Sequence, residues 1–362
     1  MIRRRHETMT DCHEYCGAIH VHTAYGDGSA TMPEVVAAAS AAGLDFVVIT
    51  DHWMPLARRD GWEGFHEGVV VIVGAELHNE AGRVHYLAVG ASHTPPEDAD
   101  LREAGLARFV HDHGGRIFLA HPQGVPETLY SSWSRPWTGA ISPAVDGLEV
   151  WSYMHDWLED FRAHRLLRFH RRPEEQITGP NPVVLAAWDR LAQERRVAAV
   201  GGLDNHGRAV PLTGRTFLPY VVTFGGIRTH VLLDRPLTGS TEADIRAVSG
   251  ALGGGAAFVA NDALADSTGL RFTGSAAGGA QAGPGGEIDL ATGGVDLRLA
   301  APTDADWRVV CAGRTVARAR GRDFACRVDV PGAYHVQGRL NGRFWLMTNP
   351  VYVRTPTGPA DR

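Results

Sequence analysis

The chain has 362 residues, enough for two ordinary domains or one large α/β domain with an appendage. Hydrophobic residues make up 44% and charged residues 21%, which supplies a packed core and argues against disorder. All 35 basic residues are arginines, against 41 acidic residues and a net charge of −6. Without lysine there is no P-loop lysine, Schiff-base lysine or protein-kinase lysine, and the acidic balance excludes the basic stripe of a dedicated nucleic-acid binder. The 18 histidines turn attention to imidazole chemistry.

In chain order, residues 1–16 read as an N-terminal extension. Arg3, Arg4 and Arg5 are not followed by an apolar stretch, so no secretory signal is expected. No apolar run approaches the length of a membrane span, and a cytoplasmic protein is the expectation. Cys12 and Cys16 either bind a metal with His13 or, more simply, are reduced thiols in a frayed segment; Cys311 and Cys326 fall where strands are expected.

Seven short apolar runs follow, at 17–22, 46–49, 69–73, 84–89, 116–120, 147–150 and 197–200, mostly bounded by glycine and predicted as strands. Between them lie helical patterns. One opens at Thr31-Met32-Pro33 and closes at Gly43; others cover 101–113, 157–172 and 183–196. This alternation predicts a mostly parallel α/β sheet or barrel. The short link from Leu77 to Arg83 leaves no room for a crossover helix, so the third and fourth strands are expected to form a hairpin. After Arg235 the texture changes. A helix over 241–252 leads into a Gly/Ala-rich stretch, 274–286, and then into evenly spaced strand runs that predict a small β-sandwich. The expected division is an extension (1–16), an α/β unit (17–235), a linker helix with β-sandwich (236–355) and a polar tail (356–362).

Polar residues fall in register with those strands. His20 and His22 lie two apart on the first, so period-two geometry aims both at one face, and Asp27 follows in a glycine-flanked turn. His52 ends the second strand in Thr50-Asp51-His52, and Glu76 ends the third. His85 is on the fourth, His121 ends the fifth, Glu149 is on the sixth, and Asp204 and His206 follow the seventh. In a barrel the C-terminal strand ends meet at one mouth, bringing these groups together. Neutral imidazoles and carboxylates suit borderline divalent metals, and such a cluster buried without cations would cost several kcal/mol per ion. Other histidines, among them His111, His113, His155 and His230, lack that register, while His78 stands close to Glu76.

The order H-x-H, Asp, T-D-H, G-x-E, His, A-H-P and D-x-H resembles the PHP (polymerase and histidinol phosphatase) family over about residues 17–207. The resemblance implies a distorted (β/α)7 barrel carrying a C-terminal small β-sandwich domain, with two or three divalent metal ions at the mouth. It implies His20, His22, Glu76 and Asp204 for a first metal, and bridging Glu76 with His85 and His121 for a second. Asp27, His52 and His206 are implied for a third. Asp27 resembles the amidohydrolase-like phosphoesterase branch. The segments Pro331-Gly332-Ala333-Tyr334 and Thr348-Asn349-Pro350-Val351-Tyr352 resemble the β-domain of longer members, including carbaryl-type carbamate hydrolases.

The leading expectation is a phosphoesterase acting on a small molecule or nucleotide through a metal-bridging hydroxide, with Glu76, Asp204 and His206 as the catalytic set. Hydrolysis of a carbamate, amide or ester at the same centre, or a non-catalytic metal-binding module, are the alternatives. Manganese, iron and zinc all suit these ligands. Asp51 and Glu149 are expected to orient ligand imidazoles or to serve as structural partners. Arg208, Arg135 and Trp53 are the expected substrate contacts, with Trp151 as a second candidate wall. A small-molecule substrate is expected, with no duplex nucleic acid and no membrane partner.

Overall fold

Two open sheets and the helices on their faces make up the described part of this computed structural model, which covers residues 12–53, 55–79, 84–96, 102–124, 136–159, 173–210, 215–290 and 293–355. The strands of the first half are β1 (His13–Val21), β2 (Phe46–Ile49), β3 (Gly64–His66), β4 (Val69–Val73), β5 (Ala75–His78), β6 (His85–Val89), β7 (Arg116–Leu119), β8 (Gly147–Ser152) and β9 (Ala198–Gly202). A two-stranded ribbon, β10 (Ala209–Val210) and β11 (Arg215–Thr216), precedes β12 (Ile227–Leu233) and β13 (Ala257–Asn261). The remaining strands are β14 (Arg271–Ala276), β15 (Gln281–Ala282), β16 (Glu287–Asp289), β17 (Val295–Cys311), β18 (Arg314–Val328), β19 (Gly332–Leu340), β20 (Arg343–Thr348) and β21 (Val351–Arg354). The helices are α1 (Met32–Ala41), α2 (Leu56–Arg59), α3 (Glu103–Asp112), α4 (Tyr153–Glu159), α5 (Pro182–Glu194), α6 (Tyr220–Thr223) and α7 (Thr241–Gly254).

Local chemistry explains the helix ends. Glu34 reaches back to the Thr31 backbone N–H at 2.8 Å, giving α1 its expected start, and Gly43 closes it at φ +72°. Asn181 accepts from the Val183 and Val184 N–H groups at 2.9 and 3.3 Å, capping α5. Helix α4 begins at Tyr153, directly after β8, four residues earlier than the sequence pattern placed it.

The closed seven-stranded barrel is not what these residues form. One sheet runs β5-β6-β7-β8-β9, and β1, β2 and β4 belong to a separate 14-stranded sheet. The two meet at isolated bridges, Val21 with Asn205 and His52 with Glu76, so the ladder is interrupted at both seams. The expected hairpin exists but is built differently. The third apolar run ends at Gly74, where the chain leaves the first sheet, and it is β5 that pairs antiparallel with β6. A Cβ at Gly74 would overlap the Ala88 carbonyl, so the crossing requires glycine.

The C-terminal strands are not detached. β12 and β13 pair antiparallel, β13 pairs with β20, and β1 pairs with β12, so one sheet runs through the expected boundary at residue 235. Helix α7 packs on β12, β7, β3 and β4, within the first lobe. Where evenly spaced short runs were expected after the glycine-rich stretch, residues 295–311 form one long strand, β17, in a ribbon with β18. The glycine-rich stretch contributes β15, paired with β14. Phe258, Phe272, Trp307 and Trp345 form the core of this second lobe. The N-terminal segment is not frayed from residue 13 onward: β1 starts at His13, and Cys16 is buried. All four cysteines are free thiols. No helix among the described residues is long and apolar enough to cross a membrane.

Candidate metal centre

The nine His, Asp and Glu residues singled out as metal ligands lie in one cluster at the seams between the two sheets. His20 and His22 do not reach it by simple strand alternation. The β1–β2 register shifts between Ala18 and Val21, His20 adopts φ +65°, and His22 lies just past the strand end. Hydrogen bonds fix this bend: His22 N–H donates to Asn205 O at 3.0 Å and Asn205 N–H to His20 O at 3.3 Å. His121 (φ +27°) and Asp204 (φ +50°) are also left-handed, so three cluster residues occupy backbone that side-chain-bearing residues rarely adopt.

Glu76 is the hub. Its Oε2 faces His20 Nε2, His22 Nε2 and His52 Nδ1 at 3.4, 3.2 and 3.4 Å. Its Oε1 faces His85 Nδ1 at 2.7 Å and His121 Nε2 at 3.1 Å. Asp204 Oδ1 lies 3.4 Å from His20 Nε2 and 3.3 Å from His22 Nε2. Asp27 Oδ1 sits 3.4 Å from His22 Nδ1, 3.2 Å from His206 Nε2 and 3.9 Å from His52 Nε2. Four donor sets result, in each of which the ligand atoms lie within 4.8 Å of one another: His20-His22-Glu76-Asp204, Glu76-His85-His121, His22-Asp27-His52-His206, and His121-His155-Asp204.

The geometry fits cations better than hydrogen bonds. His20 Nε2 and both ring nitrogens of His22 are buried with no hydrogen-bond partner, although carboxylate oxygens stand 3.2 to 3.4 Å away. Buried polar atoms are normally satisfied, so lone pairs converging without hydrogen bonds mark a place for a Lewis acid. Glu149 sets the orientation of His20. Its two carboxylate oxygens accept from His20 Nδ1 at 3.2 and 3.1 Å, and Oε2 also accepts from His121 N–H at 2.7 Å. With Nδ1 held by Glu149, Nε2 is the nitrogen turned to Glu76 and Asp204. Gly202 makes room for this carboxylate, because a Cβ there would overlap it.

Asp51 acts elsewhere. It accepts from the Thr23 N–H and hydroxyl, both at 2.6 Å, which pins the turn that carries Asp27. The two expected orienting acids thus split: Glu149 holds an imidazole, and Asp51 holds a loop.

Burial opposes charge on these groups, and they offset it for one another. Burial would raise Glu76, but His20 and His121 hold it well below the usual carboxylate range, and His20 and His22 do the same for Asp204. Burial lowers His22, yet Asp204 and Glu76 outweigh it and lift the ring to about 9. His20 and His121 are raised for similar reasons. His52 and His155 move the other way, pushed down by burial, and His121 beside His155 adds to that.

His155 is the residue that sequence register missed. Its ring is buried, stacks on His121 at 4.3 Å, and has Nδ1 3.5 Å from Asp204 Oδ2. It falls on α4, whose early start puts it three residues past β8, and that position was the available signal. His111 meets Asp146 at 2.8 Å, away from the cluster, while His78 stands at its rim, edge-on to Trp53 at 4.9 Å. Arg208 pairs with Asp27 at the mouth and is half-exposed. Trp53 is half-buried against His78, whereas Trp151 is buried and donates to Asp156 at 2.9 Å, so it packs in the core and forms no wall. Arg135 lies outside the described residues.

No protein-family model matches the chain, and no curated protein matches it. Among solved structures, it is similar to a two-domain protein from Bacteroides vulgatus containing a predicted PHP-like metal-dependent phosphoesterase. That match has 15% identity and a TM-score of 0.44, covering 97% of this chain and 100% of that one. A proposed metal-dependent phosphoesterase from Bifidobacterium adolescentis is 16% identical with a TM-score of 0.33, over 57% of this chain and 94% of that one. An amidohydrolase from Chromobacterium violaceum, with bound sulfate and no metal, is 16% identical with a TM-score of 0.31, over 56% and 91%. Likeness at this level carries no weight for function, which rests on the geometry above.

Proposed function

We propose that the chain is a metal-dependent hydrolase and that its substrate is a phosphoester of a small molecule. The observation that carries this reading is the two-sided environment of Glu76, with three imidazoles on one oxygen and two on the other. In this reading His20, His22, Glu76 and Asp204 hold one divalent cation, Glu76, His85 and His121 a second, and Asp27, His52 and His206 a third. When bound, such cations supply Lewis acidity toward substrate oxygens and bring the pKa of a water to about 7.

The chain's own groups do the rest. Asp204 turns Oδ1 to His20 and His22, which leaves Oδ2 to take a proton from attacking water, with His155 behind it at 3.5 Å. Glu149 keeps the His20 lone pair on target. His206 stacks on His22 at 4.1 Å, with Nε2 3.2 Å from Asp27 Oδ1 and Nδ1 on the Asp204 carbonyl at 3.1 Å, which fixes the ring as a ligand beside Asp27. Arg208 favours an anionic substrate, since its planar fork matches phosphate geometry. The burial of Trp151 removes one of the two aromatic walls that a carbamate pocket would use.

The test is turnover by protein loaded in turn with manganese, iron(II) or zinc. The substrates are p-nitrophenyl phosphate, its bis-ester and a naphthyl carbamate. Phosphoester turnover that disappears in Asp204→Ala is expected. Turnover of the carbamate alone would overturn the substrate class, and metal bound with no turnover of any would overturn the enzyme reading.

A further inference from the structure

A second group of titratable side chains lies away from the nest, on the same first strand. Cys16 and His230 are directly paired across β1 and β12, and Asp262 follows the end of β13. Cys16 precedes His20 by four residues, a separation of about 13 Å along an extended strand, so this group is distinct from the first centre. His230 is fully buried, Cys16 is 6% exposed, and the Asp262 side chain is 4% exposed.

The His230 ring is held on both sides. Nδ1 lies 2.9 Å from Glu14 Oε1, and Glu14 in turn accepts from Gly269 N–H at 2.9 Å and from Arg271 at 2.6 Å. The ring also stacks on Phe258 at 4.5 Å and 12°. A carboxylate behind one imidazole nitrogen fixes the tautomer and presents the other nitrogen as a ligand, the arrangement found behind metal-bound histidines. Around that other nitrogen, Nε2, stand Cys16 Sγ at 3.6 Å, Asp262 Oδ2 at 3.1 Å and Ser267 Oγ at 3.1 Å.

We propose that Cys16 Sγ, His230 Nε2 and the Asp262 carboxylate hold a separate zinc-class cation, with Ser267 Oγ beside the fourth position. The spacing matches the chemistry. With Zn–S near 2.3 Å and Zn–N near 2.0–2.1 Å, tetrahedral geometry separates sulfur and nitrogen donors by about 3.5 Å. The thiolate selects for zinc over magnesium, calcium or manganese. The charge also balances. A divalent cation replaces two protons, one from the Cys16 thiol and one from the ring, and leaves the net charge unchanged while Arg228 and Arg271 stay on the carboxylates. The role is structural: the cation ties the first strand to β12 and to the turn after β13.

Cobalt(II) loading separates this site from the first centre, whose donor set contains no sulfur. The intact protein is expected to show thiolate-to-cobalt charge-transfer absorption in the near ultraviolet. That absorption is expected to persist in Cys12→Ser and Asp204→Ala and to vanish in Cys16→Ser. A band that survives in Cys16→Ser, or none in the cobalt-saturated intact protein, would overturn the proposal. X-ray absorption on the zinc-loaded intact chain needs no variant. A sulfur scatterer at about 2.3 Å supports the site, and a shell of nitrogen and oxygen alone overturns it.

Discussion

The two lobes share one continuous sheet and bury opposite kinds of side chain. Around the ends of β1 and β9 the interior holds His20, His22, Glu76, His121, Asp204 and Glu149, all nearly inaccessible to solvent. In the C-terminal lobe the interior is Phe258, Phe272, Trp307 and Trp345, and the indole of Trp345 and the amide of Asn349 bond to backbone. Trp345 Nε1 donates to Ala265 O at 2.9 Å, and the Asn349 amide bonds Ala199 N–H and the Ala199 and Ala257 carbonyls. Buried ions cost several kcal/mol each unless compensated, so one lobe is built for stability and the other for a ligand that repays its polarity.

The comparison breaks most sharply at Glu76. Glu76→Ala is expected to abolish turnover and to deplete metal, measured together by assay and elemental analysis. The reciprocal change, Trp345→Ala, is expected to cost about 3–5 kcal/mol in unfolding free energy while metal per folded chain stays constant. Urea unfolding beside metal analysis checks it, and loss of metal in the folded variant would show that the lobes are not separable. Glu149→Gln keeps the shape but weakens the hold on His20, and about a 10- to 100-fold loss in metal affinity is expected by competition with a chelator.

Acidity sharpens the contrast further. In metal-free protein His22 is raised from 6.5 to about 9. The stabilisation it contributes is complete below pH 6.5 and is lost as pH rises through about 9. Glu76 and Asp204 are lowered, so their contribution is present above the ordinary carboxylate values and lost on acidification. Melting with and without chelator should therefore show the metal-free protein weakening from pH 6.5 to 9 and the metal-dependent increment growing over the same span. An increment that shrinks with pH would contradict the assignment of these rings as ligands. The smallest expected effect is Arg208→Ala, at most about a fivefold loss in phosphoester turnover, because its pair with Asp27 is half-exposed.

What the sequence made legible was the polar register of the strand ends, since an acid or imidazole after an apolar run has few reasons to be there. It did not reveal the seams. The crossing at Gly74 and the bend at His20 depend on contacts between residues distant in sequence, with Ala88 and Asn205. His155 escaped because α4 starts at once after β8, and His230 because its partner Cys16 lies 214 residues away. The long ribbon of β17 and β18 escaped because Pro302 with Thr303, Asp304 and Asp306 resembles a turn between two short strands.

The central claim is that Glu76 bridges cations inside the nest. Anomalous scattering from crystals grown with manganese or zinc tests it most directly. The account predicts at least two peaks within bonding distance of Glu76, one on each carboxylate oxygen, with His20 and His22 on one and His85 and His121 on the other. Ordered Glu76, His20 and His121 side chains with no anomalous density between them, in protein shown to contain the metal, would contradict it.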